Sequence, residues 1–521
     1  MRGAGRAGTL GLTTQGRVRA SRRLPGGTSM SGRGPQLVTY ADRLAGDLPG
    51  LRAVLRGPLA GVFDGVHVLP FYPPFDGADA GFDPVDHSAV DPRLGTWDDV
   101  RELARELTVM ADVIVNHVSA RSAQFLDVVE HGDASPYAPM FLTLAAVFPE
   151  GATEEDLARI YRPRPGLPFT AMTLGGRRRL VWTTFSPDQV DLDLRTPEAW
   201  QHLERVLDAL LGAGVRMLRL DAVGYTGKEA GTDCFMTSAT DEYTDRIHRY
   251  ANERGAEVLV EVHGHHAQQI EIARHVDRVY DFALPPLVLH ALTTGDLEPL
   301  AGWMAIRPSN AVTVLDTHDG IGIVDVGTSD LRPGEQGLLT PEQIDALVET
   351  IHENSGGTSR RATGAAASNV DLYQVNCTFY DALARDDRRY VLARLLQLFV
   401  PGIPQVYYVG LLAGTNDMEL LARTGVGRDV NRHHYTAAEL DEALTHPAVH
   451  AQLTALRLRR EHPAFLGTFT WEHEGSRGTM RWAFGTTRAE LRFDVATGEF
   501  EVRTAQDGHE RVELADTDMP T

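Results

Sequence analysis

The sequence is poor in cysteine, in net positive charge and in long apolar runs, and each shortage excludes a class of protein. Only two cysteines occur, Cys234 and Cys377, which excludes a disulfide framework or a cysteine-ligated metal and indicates a reducing compartment such as the cytoplasm. A formal net charge of −21 disfavours nucleic acid or an anionic membrane as a partner. No apolar run reaches membrane-spanning length.

The first 29 residues differ from the rest of the chain. They contain six arginines and no acidic residue: Arg2, Arg6, Arg17, Arg19, Arg22 and Arg23. They also lack the apolar stretch of a secretory signal. We predict that residues 1–29 are a disordered extension, or that Met30 is the natural start. An organelle-targeting leader is the alternative.

Eight apolar, strand-like runs alternate with helical patterns over most of the chain. The runs are 37–40, 65–70, 111–116, 215–220, 258–260, 278–282, 311–315 and 405–409. Helical stretches such as 97–107 and 199–211 separate most of them. Strand and helix in alternation indicate a parallel sheet, and eight such units predict an α/β fold closed into a (β/α)8 barrel.

Two long connections and a different tail interrupt this pattern. In the tail, Met480, Trp482, Phe484, Leu491, Phe493, Phe500 and Val502 alternate with polar residues, which is typical of short antiparallel strands. The predicted division is 1–29 as the extension, 30–114, 196–320 and 385–464 as barrel, 115–195 and 321–384 as inserted subdomains, and 465–521 as a C-terminal β domain. Long insertions at the carboxyl ends of barrel strands usually build substrate sites.

Three carboxylates stand at the ends of predicted strands: Asp221, Glu261 and Asp319. A charged residue there is costly unless it faces a cleft, and the carboxyl end of every strand of such a barrel faces one. Two carboxyl groups with a third nearby are suited to breaking a glycosidic bond with retention of configuration. The sequence therefore predicts a glycoside-cleaving site at this end of the barrel.

Residues two apart on a strand share a face, which pairs Arg219 with Asp221 and Glu261 with His263. A guanidinium group favours the ionised Asp221 that a nucleophile requires, and like charges around Glu261 favour the protonated form of a general acid. Each pattern has a simpler interpretation, such as a buried ion pair or a helix cap. Together with His117 and with His318 beside Asp319, they favour one catalytic site.

Four short regions, at 112–117, 219–223, 261 and 318–319, resemble those of the α-amylase superfamily, glycoside hydrolase family 13. Longer stretches at 76–84, 161–168, 222–231, 363–374 and 427–433 are similar to the sucrose phosphorylases within it. The resemblance covers residues 36–465 well and the tail loosely.

The resemblance implies roles residue by residue. It implies Asp221 as nucleophile, Glu261 as general acid and base, and Asp319 as the third carboxylate. Residues that match a substrate pocket are Asp79, Phe82, His117, Phe185, Gln189, Arg219, Tyr225, His263, His318 and Arg428, with Asp79 and Arg428 closing its bottom. Arg164 and Tyr373 match phosphate ligands, with Arg162 or His263 as alternatives, and Asp371 and Gln374 match fructose contacts.

The activity implied is reversible transfer of the glucosyl unit of sucrose to inorganic phosphate by double displacement, without metal or organic cofactor and in a possible homodimer. The alternatives are a phosphorylase of glucosylglycerate or sucrose 6-phosphate, a retaining α-glucosidase or transglucosidase, and a transport-associated subunit. The sequence departs from the family pattern at Ala120, His265 and His266, which flank the site and leave acceptor preference open.

Overall fold

The computed structural model describes the strand Ala20–Arg22 and residues 34–75, 79–163, 166–328, 334–365 and 374–519. Eight parallel strands form a closed barrel in chain order: β1 Gln36–Thr39, β2 Gly65–Val68, β3 Thr108–Ile114, β4 Met217–Asp221, β5 Glu257–Val260, β6 Arg278–Asp281, β7 Ala311–Thr313 and β8 Ile403–Tyr407. Pairing of Gln405 with Gln36 joins β8 to β1. The predicted barrel is confirmed, and each strand lies within a few residues of its predicted position.

Helices surround the barrel. The longer ones are Leu48–Arg56, Trp97–Ala104, Pro197–Gly212, Ser238–Asn252, Leu284–Thr294, Glu298–Ile306, Asp387–Phe399 and Pro447–Glu461, and a shorter one is His266–Ile272. Helix Pro197–Gly212 shows why they form: the Thr196 hydroxyl caps its start, and its buried Leu203, Val206 and Leu210 follow helical spacing. Among the described residues, no helix combines the length and apolar character that crossing a bilayer needs.

The barrel interior changes from apolar to charged towards the carboxyl ends of the strands. The strands and the residues directly after them supply a buried apolar cluster of Met110, Met217, Leu259, Tyr280, Phe282, Val312, Val314 and Ile403. On β4, Met217, Arg219 and Asp221 are spaced two apart and therefore face the same side. Glu261, which directly follows β5, is spaced two residues from buried Leu259 and faces the same side. The strand period thus presents charged side chains at the carboxyl end.

Two inserted segments lie beyond that end. The first, between β3 and β4, contains strand pairs His117–Ser119 with Gln189–Asp191 and Phe169–Leu174 with Arg177–Trp182, and helices Ala123–His131, Leu144–Val147 and Glu154–Arg159. The second, between β7 and β8, contains paired strands Ile321–Gly322 and Gln374–Val375, the turn Val324–Val326, and helices Pro341–Asn354, Thr358–Ala365 and Phe379–Ala382. The predicted segment boundaries remain a proposal.

The chain ends in an antiparallel sheet, as predicted, with strands β9 Thr468–Glu474, β10 Arg477–Phe484, β11 Thr487–Asp494, β12 Glu499–Gln506 and β13 His509–Ala515. Strand Ala20–Arg22, within the predicted extension, pairs with β9. The Trp482 indole donates to the Phe399 carbonyl at 2.7 Å and thereby joins sheet and barrel. Phe484, predicted to alternate with the core residues, is 51% exposed because β10 ends there, before a turn at Gly485 with φ of 58°.

Candidate active site

Three carboxylates lie at the carboxyl end of the barrel. Asp221 is the last residue of β4, Glu261 directly follows β5, and Asp319 lies in the segment after β7. Their side chains are mostly buried, and all three line one cavity. The structure therefore brings together the carboxylates that the strand-end pattern singled out.

The buried guanidinium group of Arg219 contacts two of these carboxylates and a further carboxylate on β3. Arg219 Nη1 donates to Asp221 Oδ1 at 2.8 Å, and its Nη2 lies 3.7 Å from Glu261 Oε1. The same Nη1 donates at 2.5 Å to Asp112 Oδ1, on β3. Asp112 is fully buried and Arg219 nearly so. Arg219 therefore serves three acidic groups.

Burial and this sharing decide how the acidic groups ionise. Burial raises the pKa of Asp221 well above its usual value; Arg219 opposes this, and Glu261 and Asp112 reinforce it. Burial also acts on Asp112, but His67 and Arg219 outweigh it and hold the pKa of Asp112 at about 2. Arg219 does lower the pKa of Asp221, as predicted, but its shared charge does not outweigh burial.

His263 lies on the other side of Glu261. Its Nε2 is 3.4 Å from Glu261 Oε1, and its Nδ1 is 3.0 Å from Asp325 Oδ2. The ring stacks on Phe282, with the ring centroids 4.0 Å apart. Glu261 therefore lies between two basic groups, Arg219 and His263, whereas the sequence suggested mainly like charges around it.

A second ion-pair cluster closes the pocket. Arg428, in the turn Gly427–Asn431 that follows β8, donates through Nη1 to Asp319 Oδ1 at 2.7 Å. The same nitrogen lies 3.8 Å from Asp79 Oδ1. Gln189 Nε2 donates to Asp79 Oδ2 at 2.6 Å. The structure therefore places Asp79 beside Arg428, as the resemblance implied.

His318 contacts the same carboxylate, with its Nε2 3.3 Å from Asp319 Oδ2. Burial lowers the pKa of His318 to about 3, so its ring is neutral at neutral pH. Burial opposes ionisation of Asp319, but the contact with His318 and the charges of Arg428 and Arg432 hold its pKa well below its usual value. Because the His318 ring is neutral, the guanidinium groups keep Asp319 ionised.

Aromatic rings form two walls of the pocket. Phe82 stacks on His318, with ring centroids 4.8 Å apart and planes 5° apart. Phe185 lies 5.3 Å from the His117 ring and 5.0 Å from the Tyr225 ring. Burial lowers the pKa of His117, whose Nε2 lies 3.0 Å from the Phe82 carbonyl oxygen. Neutral, polarisable walls of this kind suit a sugar ring that gains positive charge.

The loop after Asp221 has a constrained backbone. Ala222, Cys234 and Met236 have φ of 55°, 58° and 49°, in the left-handed region that residues with a Cβ rarely occupy. A Cβ at Gly224 would lie only 2.8 Å from the Phe235 ring. Such strain persists where surrounding packing imposes it, often at functional sites.

These groups enclose a narrow cavity of about 90 Å³. Its lining residues are Asp79, Phe82, His117, Pro163, Phe185, Asp221, Ala222, Gly224, Tyr225, Phe235, Glu261, Val262, His263, His318, Asp319 and Arg428. A larger concavity of about 980 Å³ opens at the other end of the barrel, beside Thr108 and Glu257, the first residues of β3 and β5. Because none of the three carboxylates lines it, we place the candidate site in the narrow cavity.

One group of described residues has the spacing to hold a metal ion. Ligand atoms of Glu261, His263 and Asp319 all lie within 4.8 Å of one another. However, Arg219 lies 3.7 Å from Glu261, and Arg428 donates to Asp319. Guanidinium groups thus already occupy the surroundings of both carboxylates, and we assign no metal to them.

Comparison with known proteins identifies the family of this chain. A family model for the α-amylase catalytic domain matches residues 39–272. Sucrose phosphorylase of Bifidobacterium adolescentis is 57% identical over 437 residues, covering 84% of this chain and 87% of that protein. Sucrose phosphorylase of Agrobacterium vitis is 58% identical over 437 residues, covering 83% and 89%. This chain belongs to the sucrose phosphorylase family.

A solved structure supports the same family assignment. The crystal structure of sucrose 6F-phosphate phosphorylase from Thermoanaerobacter thermosaccharolyticum matches with a TM-score of 0.84 and 34% identity, covering 92% of this chain and 97% of that one. Phosphorylases named for glucosylglycerate match at lower identity than the two sucrose phosphorylases. The family resemblance predicted from the motifs is therefore confirmed.

Some residues predicted from the family pattern do not line the cavity. Gln374 is buried in a two-residue strand, opposite Gly322, and is not among the lining residues. Arg164, Asp371 and Tyr373 lie outside the described residues. Their contacts with phosphate or fructose remain predictions.

Three residues depart from the family pattern: Ala120, His265 and His266. The Ala120 amide donates to the Asp188 carbonyl at 2.7 Å. His265 is buried, and its Nδ1 accepts from the Ala267 amide at the start of helix His266–Ile272. Burial lowers the pKa of His266 to about 4. The contact with the Ala267 amide gives His265 a local structural role.

Sequence reasoning missed a buried lysine that connects the site's elements. Lys228 Nζ lies 2.6 Å from Asp191 Oδ2, donates to Asn116 Oδ1 at 2.7 Å and contacts the Tyr225 carbonyl oxygen. Asp191 also accepts from the Thr184 amide at 3.0 Å. Lys228 lies in the stretch 222–231 that resembles the sucrose phosphorylases, but nothing in the sequence indicates Asp191 and Asn116 as its partners.

Proposed function

We propose that this chain transfers the glucosyl unit of sucrose to inorganic phosphate, reversibly, giving α-D-glucose 1-phosphate and fructose. The observation that carries the proposal is the convergence of Asp221, Glu261 and Asp319 on one narrow cavity. The chain's identity of 57% and 58% to two sucrose phosphorylases supports the substrates. The intact carboxylates disfavour a transport-associated subunit without activity.

In the first step, Asp221 attacks the anomeric carbon and Glu261 gives a proton to the departing fructose oxygen. The bond from that carbon to fructose breaks as the ester to Asp221 forms. Both carboxyl groups contact Arg219, which supports the short separation used by a retaining pair.

In the second step, a phosphate oxygen attacks the same carbon from the side that fructose has left. The ester bond breaks, the Asp221 carboxylate is released, and a hydroxyl group of the phosphate other than the attacking oxygen returns a proton to Glu261. Two displacements at one carbon retain its configuration overall.

The second ion-pair cluster is proposed to bind the glucosyl ring. Asp319, held ionised, accepts from sugar hydroxyl groups, and Arg428 with Asp79 closes the end of the cavity. The closed end admits one terminal glucosyl unit and excludes a continuing polymer. Phe82 faces the charge that develops on the ring.

The acceptor contacts are a finer proposal. Arg164 and Tyr373 are proposed as phosphate ligands, with Arg162 and His263 as alternatives, and Asp371 and Gln374 as fructose contacts. Of these, His263 lines the cavity. An anion that approaches a protein of net charge −21 needs such a positioned cation.

Two further proposals concern the setting of the enzyme. The low cysteine content supports a cytoplasmic location, and both cysteines are free and buried. A homodimer is proposed from the family resemblance alone. Size-exclusion chromatography with light scattering tests it directly.

Product analysis tests the function. We expect glucose 1-phosphate from sucrose only when phosphate is present, and sucrose from glucose 1-phosphate and fructose in the reverse direction. Free glucose at the same rate with and without phosphate would indicate a hydrolase. Glucose 1-phosphate from glucosylglycerate or sucrose 6-phosphate, but not from sucrose, would identify a related phosphorylase.

A further inference from the structure

The His263 ring has a carboxylate at each nitrogen. Its Nδ1 lies 3.0 Å from Asp325 Oδ2, and its Nε2 lies 3.4 Å from Glu261 Oε1. The side chain is 8% exposed. The ring thus connects a residue of the second inserted segment to the proposed general acid and base.

Asp325 is held more firmly than a chance neighbour would be. It lies in the turn Val324–Val326, and its side chain is fully buried. Its Oδ1 accepts from the Gly264 amide at 3.2 Å and from Gln269 Nε2 at 2.8 Å. Both oxygens therefore contact the segment that follows Glu261, and the steps proposed above give Asp325 no role.

We infer that Asp325 is a positioning residue that acts through His263: its carboxylate fixes the ring with a proton on Nδ1 and keeps a cationic ring beside Glu261. This inference rests on the proposed function. It adds a reason why the glucosyl ester passes to phosphate rather than to water.

The groups that face His263 favour its charged form. They are Asp325 from the second inserted segment, Glu261 from the end of β5 and Asp319 from the segment after β7. Burial alone would lower the pKa of His263, but these carboxylates outweigh it and raise the pKa. Arg219 lies beyond Glu261, so one cation stands on each side of that carboxyl group.

A cation beside Glu261 has opposite effects on its two tasks. It makes Glu261 a readier proton donor to the departing fructose and a weaker base in the second step. Water must lose a proton to a base as it attacks, and that proton goes to Glu261. A phosphate dianion attacks through an oxygen that carries no proton. Weakening the base therefore slows hydrolysis more than phosphorolysis.

The variant Asp325→Asn tests the inference. Its amide oxygen still accepts from Gly264 and Gln269, but its NH2 group faces His263 Nδ1 and displaces the proton there. At fixed phosphate, we expect the ratio of free glucose to glucose 1-phosphate to rise about threefold or more. The alkaline limb of kcat/KM for sucrose should also move up by about half a pH unit or more, because the cation that faces the proton donor is lost.

Gln269→Leu is the matched control. It removes a hydrogen bond from the other oxygen of Asp325 and leaves the contact with His263 intact. We expect a lower melting temperature without a change in the product ratio or the alkaline limb. Equal effects of Gln269→Leu and Asp325→Asn on both readouts would show that Asp325 merely supports the loop.

A double mutant shows whether Asp325 acts through the ring. His263→Gln should raise the product ratio by itself, and adding Asp325→Asn should change the ratio no further. This arm also keeps the inference testable if Asp325→Asn alone does not fold. An unchanged ratio and limb in folded Asp325→Asn, or independent effects in the double mutant, would overturn it. Failure of the proposed function is seen separately, as absence of glucose 1-phosphate with the unmodified enzyme.

Discussion

Two arginines organise the pocket, and they differ in depth and in what they hold. Arg219 is 3% exposed, lies on β4, and serves Asp112, Asp221 and Glu261. Arg428 is 20% exposed, lies in a turn after β8, and serves Asp319 and Asp79. The deep arginine belongs to the barrel interior, whereas the outer one belongs to a connection at its rim.

The difference separates two tasks. Groups on rigid neighbouring strands keep fixed positions, which the reacting carboxyl groups need. A guanidinium group at the rim can pair with acids before substrate arrives and with sugar hydroxyls afterwards. We call Arg219 with its three carboxylates the deep cluster, and Arg428 with Asp319 and Asp79 the outer cluster. We expect the deep cluster to govern chemistry and stability, and the outer cluster to govern substrate binding.

The largest expected effect is that of Arg219→Met. It leaves three carboxylates without their shared cation, and breaking a buried pair costs about 3–5 kcal/mol of the free energy of unfolding. We expect kcat/KM for sucrose to fall about a thousandfold or more, since Asp221 loses both charge and orientation. Urea denaturation and initial rates measure the two losses. Arg219→Lys, which keeps the charge, is the control and should recover part of the stability. If Arg219→Met lost neither stability nor activity, the proposed difference between Arg219 and Arg428 would be wrong.

A smaller effect is expected for Arg428→Met. Arg432 still acts on Asp319 when Arg428 is removed, so the free energy of unfolding should fall by less than in Arg219→Met. We expect kcat/KM for sucrose to fall about ten- to a hundredfold, mainly through KM, because sugar binding is lost. Arg428→Lys serves as the control that keeps the charge. A variant whose kcat falls and whose KM is unchanged would place Arg428 with the deep cluster instead.

These two clusters also differ in how far the sequence predicts them. The spacing of Arg219 and Asp221 on one strand is local, and the period of two places both on one face without knowledge of the fold. Asp79 and Arg428 are distant in sequence, and only the family resemblance suggested their pairing. The barrel was predictable for the same reason as Arg219, because its strand and helix periods are local.

Other contacts arise only from folding. Lys228 pairs with Asp191 across the first inserted segment, and Asp325 reaches His263 from the second. No local period encodes such pairs. The sequence suggests that Arg219 keeps Asp221 ionised, but burial raises the pKa of Asp221. The sequence shows Arg219 beside Asp221 but does not show that Asp112 shares the same guanidinium group.

The smallest expected effect is on the pH dependence. Asp221 must be ionised to attack, and burial raises its pKa, so activity should fall on the acid side at a higher pH than an ordinary carboxyl group would give. In Asp112→Asn, Arg219 keeps an acceptor but loses a competing charge. The pKa of Asp221 should then fall, and the acid limb of kcat/KM for sucrose should move to lower pH by about one unit. An acid limb that stays in place would show that Asp112 does not compete for Arg219.

The central claim is that a covalent glucosyl ester forms on Asp221. Glu261→Gln with glucosyl fluoride tests it most directly, because fluoride leaves without a proton while the deglucosylation step is slowed. Rapid quenching followed by peptide mass spectrometry should find one anhydroglucosyl unit on the peptide that contains Asp221, and none in the Asp221→Asn, Glu261→Gln double variant. A label on another residue, or undiminished turnover in Asp221→Asn, would contradict the account.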